Sequence, residues 1–404
     1  MKMLEKWVWL AEKFQNASYK TDELLDVYGT PEAIFERDDY RECKYLSKAD
    51  VIKLNHKSLD AAKAIIERCS KKGYSILTQH DEDFPVRLRD IPASPIVLYI
   101  DGTLPNVDRI PSFAIVGTRN VTPYGAKIAT AFGSGVAQAG GIVTSGMAIG
   151  VDTFAHKGAL KANGKTIAVL GCGLDIAYPK SNAELKEIIA SNGCVISEYP
   201  PMTGPTRHAF PIRNRIISGL SEATIVVEAG IRSGSLITAN HAAEQGRQIY
   251  AIPGNIDSPQ SAGPNRLILD GAHPLVSVKQ LIGENVYNYP DALNMRALKN
   301  TELLVDAKPT EEELLSEVKS HQRAVNEQRA LEFEENKNKL PQEMPELNEI
   351  EKAIYELVLQ APKKLGDLAR LINQPVYKVV TAASSLELKK LIELQPTGYF
   401  IKKD

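Results

Sequence analysis

The chain has 404 residues, of which 43% are hydrophobic and 24% charged, as expected for a globular protein with room for two or three domains. It lacks the run of about 18 apolar residues that a membrane-spanning helix needs, and its start does not resemble a secretion signal, so we expect a cytoplasmic protein. The net charge of −2 excludes a uniformly basic nucleic-acid binder, and the four scattered cysteines exclude a disulfide framework. The histidines form no metal-binding pattern, and we expect neither a metal nor a cofactor.

Residues 1–82 are predicted to form a small helical domain that is independent of the rest of the chain. Thr30 precedes a proline, as at a helix N-terminus, and Ser47 with Asp50 resembles a capping box. Apolar residues at helical spacing continue to residue 72, and Gly73 ends that helix. The segment 83–102 is expected to dock the helices onto the next domain.

In residues 113–283 the sequence pattern changes to short apolar runs that alternate with helical patterns. This pattern is typical of a parallel sheet covered on both faces. The apolar runs predict strands at 113–116, 142–144, 166–170, 194–197, 223–228 and 248–252. The stretches between them predict helices at 124–138, 152–163, 182–191, 214–219 and 235–245. We therefore expect residues 83–285 to form one domain built on a Rossmann-like, doubly wound α/β sheet, in which right-handed crossovers bring the carboxyl ends of the strands to one edge.

Small and hydroxyl-bearing residues follow four of these strands. Gly117, Thr118 and Arg119 lie between the first strand and a helix, so free backbone N–H groups and the helix dipole predict an anion site, which the Arg119 guanidinium suits. Similar loops follow three other strands. The second strand is followed by Ser145 and Gly146, and the third by Gly171 and Gly173. The fifth is followed by a loop that contains Ser233, Gly234 and Ser235. Their convergence favours a phosphate-bearing ligand. The alternative is that Arg119 pairs with a carboxylate and that the glycines serve tight packing.

Further cations are predicted at the same edge. Lys180 follows Tyr178 and Pro179, while Arg213, Asn214 and Arg215 open a short helix, so both groups are expected at helix starts. Residues 113–285 contain 14 Lys and Arg against 11 Asp and Glu. Because this excess is small, any polyanion site must be a local groove.

The remaining third of the chain is predicted to be a linker and a second domain. Residues 286–345 are polar, and 310–345 carry 5 Lys and Arg against 9 Asp and Glu, which indicates an acidic linker. Residues 346–404 predict three helices and then a hairpin with its turn near 396–398. This is the order of a winged-helix domain.

Common catalytic motifs are absent from the chain. The first strand is not followed by the GxGxxG of a dinucleotide-binding enzyme, and there is neither a GxxxxGK[ST] P-loop nor a GxSxG nucleophile turn. The sheet edge is suited to hold phosphates, and no set of residues for breaking bonds is visible.

Six motifs resemble, in order and spacing, those of the bacterial DNA-processing protein A family, and the resemblance is dense over residues 83–283. They are Val116-Gly117-Thr118-Arg119 with Tyr124-Gly125, Ser145-Gly146-Met147-Ala148 with Asp152, Gly173-Leu174-Asp175 with Tyr178-Pro179, Ser197-Glu198-Tyr199-Pro200, Phe210-Pro211 with Arg213 to Leu220, and Ser233 to Leu236 with Thr238-Ala239.

The resemblance implies a protein of natural transformation that binds single-stranded DNA and is not an enzyme. Such proteins protect incoming strands, help load a RecA-type recombinase and form homodimers, with a SAM-like helical domain before the sheet and a winged helix after it. The family's DNA pocket is implied, by motif, at Gly117, Thr118, Arg119, Lys180, Arg213 and Arg215. Single-strand binding normally adds stacking of bases on aromatic rings, for which Tyr124, Tyr178 and Phe210 are candidates unless they are core residues.

An enzyme remains as the second interpretation. Nucleoside monophosphate phosphoribohydrolases have a similar sheet, with a PGGxGTxxE loop after one strand. This chain has Glu228-Ala229-Gly230-Ile231-Arg232 at that place. Release of a free base that is lost on changing Glu228 would support the enzyme.

Overall fold

The fold was obtained as a computed structural model that describes residues 2–14, 19–298 and 347–402, without 361–362, 373, 390 and 395–398. The chain divides into two compact units, Met1–Ala330 and Leu331–Asp404.

The first unit begins with five helices, and the three helix ends that the sequence predicted, at Thr30, Ser47 and Gly73, are confirmed. They are α1 (Lys2–Lys13), α2 (Tyr19–Tyr28), α3 (Pro31–Phe35), α4 (Lys48–Asn55) and α5 (Asp60–Lys72). The Thr30 hydroxyl caps α3 by accepting from the backbone N–H of Ala33, and Ser47 and Asp50 form the reciprocal capping box of α4. Gly73 ends α5 in the left-handed conformation, with φ of 72°.

A nine-stranded sheet forms the centre of this unit. Its strands are β1 (Ser75–Thr78), β2 (Val97–Gly102), β3 (Ser112–Val116), β4 (Ile142–Ser145), β5 (Thr166–Leu170), β6 (Cys194–Ser197), β7 (Ala223–Val226), β8 (Gln248–Ala251) and β9 (His273–Pro274). Their order is β1-β2-β6-β5-β4-β3-β7-β8-β9. The pairs from β6 to β9 are parallel, whereas β1 with β2 and β2 with β6 are antiparallel. The predicted doubly wound α/β sheet is confirmed.

Helices connect the strands and cover both faces of the sheet. They are α6 (Val86–Arg89), α7 (Pro123–Gln138), α8 (Val151–Lys161), α9 (Ala183–Asn192), α10 (Ala209–Gly219), α11 (Ser235–Glu244), α12 (Ala262–Leu269) and α13 (Val278–Asn285), with 3₁₀ turns at Lys180–Asn182 and Met295–Ala297. Phe113 and Ile115 of β3 pack into one apolar cluster, and Ala114 and Val116 pack into another on the opposite face. This alternation buries the strand on both sides and explains its continuous apolar sequence.

The expectation that residues 1–82 are independent of the sheet is wrong. β1 joins the sheet as its edge strand, beside β2. Trp7 and Trp9 of α1 belong to the same buried cluster as Leu170 of β5 and Val195 of β6. The helices therefore cover part of one sheet face and share its core. Apolar periodicity shows that a helix has a buried face and does not show which element covers it.

The predicted linker also begins later than residue 286. Leu293 and Leu298 are buried in the cluster that contains Phe113, and the Tyr289 hydroxyl donates to Glu222 over 2.6 Å. Residues 286–298 thus belong to the folded unit. The acidic stretch 310–345 and its predicted helix lie outside the described residues.

The second unit contains three helices and a small antiparallel sheet. The helices are α14 (Glu349–Gln360), α15 (Leu365–Leu371) and α16 (Val376–Leu388), and the strands are β10 (Lys363–Lys364), β11 (Ile392–Leu394) and β12 (Tyr399–Lys402), in the order β10-β12-β11. Ile354, Val379 and Leu386 are fully buried at its centre. The turn predicted at 396–398 lies outside the described residues, and the assignment as a winged helix stays a prediction.

Candidate nucleic-acid interface

The carboxyl ends of β3, β4, β5 and β7 lie along one edge of the sheet, as predicted. β3 is the central strand among them, with β4 on one side and β7 on the other. From β3 the chain adds β4, β5 and β6 on one side and then returns to place β7 and β8 on the other side of β3, which makes this edge a topological switch point. Open α/β sheets bind ligands in the crevice at such a point.

The N-terminus of α7 is not the open anion site that the sequence predicted. The Glu228 carboxylate, only 3% exposed, accepts hydrogen bonds from the backbone N–H of Thr122 over 2.9 Å and from its hydroxyl over 2.5 Å. The Glu228 carbonyl also accepts from the N–H of Thr118 over 2.6 Å. Burial raises the pKa of the Glu228 carboxyl, and the Thr122 hydrogen bonds act in the opposite direction. An internal carboxylate therefore occupies this helix end.

Arg119 instead projects from the β3–α7 loop and is exposed. Its guanidinium lies 5.7 Å from the centre of the Phe210 ring, within the range of a cation–π contact. The Phe210 ring stacks on that of Tyr178, with centres 5.2 Å apart and planes 25° from parallel. We call Arg119, Phe210 and Tyr178 the stacked platform. Lys180, also exposed, follows Tyr178 by two residues.

One cavity lies beside this platform, between the loops that follow β3, β4 and β5. It is lined by the platform residues and by Gly146, Ala148, Ile149, Leu170, Gly171, Cys172, Pro179 and Arg213. Apart from Arg213 and the platform, its walls are small or apolar.

Arg213 lies at the inner wall of this cavity and is 5% exposed. One of its terminal nitrogens donates to the carbonyl of Gly146 over 2.9 Å and to that of Val169. Burial lowers the pKa of Arg213 to about 10, and the nearby Asp152 carboxylate opposes this shift. Burial in turn raises the pKa of Asp152, while Arg213 and the N–H groups of Ala148 and Gly146 act to lower it. Arg213 thus links the loop after β4 to the end of β5.

Arg215 lies apart from the cavity lining. It is 4% exposed, and its guanidinium donates to the carbonyls of Ala93 and Ile212 and forms an ion pair with Glu198 at 2.6 Å. The helix that contains it begins at Ala209. The expectation that Arg213, Asn214 and Arg215 open a helix is therefore wrong, since they lie in its second turn and point in different directions.

The remaining predicted site residues mainly hold the loops in place. The Ser145 hydroxyl donates to the carbonyl of Ile115 over 2.7 Å, and Asn214 donates to that of Gly234 over 3.3 Å. The hydroxyls of Ser233 and Ser235 pair with each other at 2.8 Å. A Cβ at Gly117 would meet Val151 at 2.5 Å, so this glycine allows close packing of β3 on α8.

Tyr124 does not join the other two aromatic candidates. It is exposed, its hydroxyl donates to the carbonyl of Pro253 over 3.3 Å, and it lines a separate pocket with Lys127 and Val276. The structure therefore brings two of the three predicted stacking rings together.

Sequence reasoning missed Asp152 and Asn182 as parts of the site. Asp152 is buried in the first turn of α8, directly after the Gly-rich loop that follows β4. An acidic residue at that position is a recognisable helix-start signal, which could have indicated that the loop is held by α8. Asn182 follows Lys180 by two residues and had no sequence signal.

The described residues also limit the chemistry of the site. No group of three or more His, Cys, Asp or Glu side chains within them could hold a metal ion. Cys43, Cys69, Cys172 and Cys194 are buried free thiols. Among the described helices, none has the length and apolar character needed to cross a membrane.

Several known proteins with similar sequences are named DNA-processing or Smf proteins. Residues 75–285 match the family model of DNA recombination-mediator protein A. Protein Smf of Synechocystis is 42% identical over 220 residues, which cover 54% of this chain and 55% of that protein. The DNA processing protein DprA of Bacillus subtilis is 38% identical over 214 residues, 53% of this chain and 72% of that protein.

A solved structure supports the same relation. The DprA structure from Streptococcus pneumoniae superposes with a TM-score of 0.57 at 32% identity, and the match covers 70% of this chain and 99% of that one. The chain spans only about half the length of the Synechocystis relative. The family groups recombination mediators rather than enzymes, which counts against the phosphoribohydrolase interpretation. This chain belongs to the DNA recombination-mediator protein A family, also named DNA processing protein A.

Proposed function

We propose that the stacked platform and Lys180 bind single-stranded DNA, and that the protein acts as a recombination mediator in natural transformation. The observation that carries this proposal is the exposed Arg119 guanidinium over the Phe210 ring, which stacks on Tyr178, two residues before the exposed Lys180. Cations for the backbone and aromatic faces for the bases are the two features that single-strand binding uses.

The proposed DNA-binding site contains fewer residues than the twelve predicted from the sequence. Arg119 and Lys180 are the exposed cations among them, whereas Arg213 and Arg215 are buried and bonded internally. We assign contact with DNA phosphates to Arg119 and Lys180. We assign contact with the DNA at the cavity wall to Gly146 and Arg213. The other predicted residues position the loops. The protection of incoming strands, the RecA-type recombinase as partner and the homodimer follow from the family resemblance and stay predictions.

The proposal is tested by fluorescence anisotropy of a labelled oligo-dT strand over a salt series. The double variant Arg119→Ala, Lys180→Ala should bind about tenfold more weakly or worse at about 0.1 M salt, because it loses two charge-assisted phosphate contacts. The slope of log affinity against log salt should also become shallower by about 1.4, since each phosphate contact on a single strand contributes about 0.7.

A matched control removes two exposed lysines from the opposite edge of the sheet. Lys161 ends α8 and Lys165 immediately precedes β5, so both lie at the amino ends of the strands. The variant Lys161→Ala, Lys165→Ala has the same net charge as the double variant and should keep wild-type affinity and salt slope. Equal weakening by the two double variants would show that only net charge matters and would refute the proposed site.

A further inference from the structure

Asn182 joins the segment that contains Lys180 to the loop after β4. The Asn182 side chain is 4% exposed, and its amide nitrogen donates to the carbonyl of Met147 and to the hydroxyl of Thr153, both over 2.9 Å. It closes the 3₁₀ turn that begins at Lys180, and its backbone N–H donates to the carbonyl of Pro179 over 3.0 Å. Both N–H groups of this buried side-chain amide therefore donate to residues between Met147 and Thr153.

The loop that contains Met147 is itself held by hydrogen bonds to Asp152 and Thr153 of α8. The Asp152 carboxylate accepts from the N–H groups of Gly146 and Ala148 at 3.1 and 3.2 Å, and the Thr153 hydroxyl donates to the carbonyl of Ala148 over 2.8 Å. Met147, between them, has φ of 59°, in the left-handed region that a methionine seldom adopts. This conformation persists because the surrounding bonds over-determine it.

The two segments that Asn182 joins both line the cavity. Tyr178 and Pro179 belong to one segment, and Gly146 and Ala148 belong to the other. Asn182 is thus placed to set the position of Lys180 and Tyr178 relative to the loop after β4. Phosphate contacts made by a flexible lysine gain affinity when the backbone that carries the lysine is fixed beforehand.

We propose that Asn182 is a positioning residue, which acts on DNA through Lys180 by anchoring the Lys180 turn to the loop after β4. The inference rests on the proposed function of the stacked platform and Lys180. It assigns no contact between Asn182 and DNA, because the side chain is buried.

The test is a double-mutant cycle between Asn182→Leu and Lys180→Ala, measured by oligo-dT anisotropy on the full chain. Leucine has the same branching and the same number of side-chain heavy atoms as asparagine, and it removes both hydrogen bonds. Asn182→Leu alone should weaken binding about fivefold, a coupling typical of residues that share one network. In the Lys180→Ala background the same change should weaken binding less than about twofold, because the cation that it positions is gone.

Two further variants keep the test decisive. Thr153→Val removes one acceptor of the Asn182 amide and also the hydrogen bond from the Thr153 hydroxyl to the carbonyl of Ala148, with little change of size, and should give a smaller loss that also depends on Lys180. Asn285→Leu is the matched control, since Asn285 is equally buried and donates to the carbonyl of Leu281 over 2.7 Å within α13. It should leave affinity unchanged.

The outcomes separate this inference from the proposed function. If Asn182→Leu and Thr153→Val weaken binding equally with and without Lys180, their role is general stability and the inference is overturned. If Lys180→Ala weakens binding and Asn182→Leu does not, the inference fails while the proposed function stands. If the wild type does not bind the strand, the proposed function fails first.

Discussion

Among single residues, burial distinguishes two arginines that the sequence presents as alike. Arg119 is exposed, and its guanidinium lies over the Phe210 ring. Arg215 is buried, and its guanidinium is used by Glu198 and by backbone carbonyls. Both residues fall in motifs of the family, so motif membership alone does not separate an exposed guanidinium from a structural ion pair.

Arg215→Met is therefore expected to affect folding rather than a DNA contact. The variant leaves the partly buried Glu198 carboxylate without its partner, and removal of one member of a buried ion pair costs about 3–5 kcal/mol. Arg119→Ala should change the unfolding free energy by less than about 0.5 kcal/mol, as for an exposed side chain. Urea unfolding followed by tryptophan fluorescence measures both. A stable Arg215→Met variant with weakened DNA binding would show instead that Arg215 contacts the strand.

Among the secondary-structure elements, α7 shows how an internal group can occupy a predicted ligand site. The sequence places a Gly-bearing turn before this helix, which predicts free N–H donors. The backbone N–H of Thr122 at this end donates to the carboxylate of Glu228, which follows β7. The two residues are 106 positions apart in the chain. No local sequence pattern can indicate a hydrogen-bond partner that lies so far away in the chain. Glu228 therefore acts in the fold as a cap of the β3–α7 connection.

Glu228→Gln should destabilise the protein by about 1–3 kcal/mol, because only one of the two side-chain atoms can then accept from Thr122 and one buried donor loses its partner. Glu187→Gln, an exposed glutamate on α9, is the matched control and should be neutral. Thermal unfolding of the three proteins provides the comparison. Wild-type stability of Glu228→Gln would contradict the capping role.

The accuracy of the sequence prediction differs between the elements for a physical reason. The parallel strands β3 to β8 match the predicted runs within about two residues, because strands buried on both faces have continuous apolar sequences. β1 and β2 were assigned to the helical domain and to a docking segment, since antiparallel pairing at a sheet edge depends on contacts that are distant in sequence. The ends of these strands also predicted where the loops of the site lie. The directions of the Arg213 and Arg215 side chains could not be predicted, because they depend on the residue at which α10 begins.

In the molecule as a whole, the first unit should unfold as one cooperative body. Its early helices share a buried cluster with β5 and β6, and residues 286–298 close the cluster on the other part of the same sheet face. The only two tryptophans of the chain, Trp7 and Trp9, lie in α1. Their fluorescence therefore reports on the cluster that the early helices share with β5 and β6, which makes the coupling between that cluster and residues 286–298 measurable.

Leu293→Ala provides that measurement. Leu293 is buried beside Phe113 and Phe132 in the cluster that does not contain the tryptophans, and a Leu→Ala change in a core costs about 2–5 kcal/mol. If the unit is cooperative, the tryptophan-detected urea midpoint should fall by the same amount as the midpoint detected by far-ultraviolet circular dichroism. Leu269→Ala, at a position that is 81% exposed, should move neither midpoint. An unchanged tryptophan transition in Leu293→Ala would mean that the helices unfold separately from the sheet, as the sequence alone had suggested.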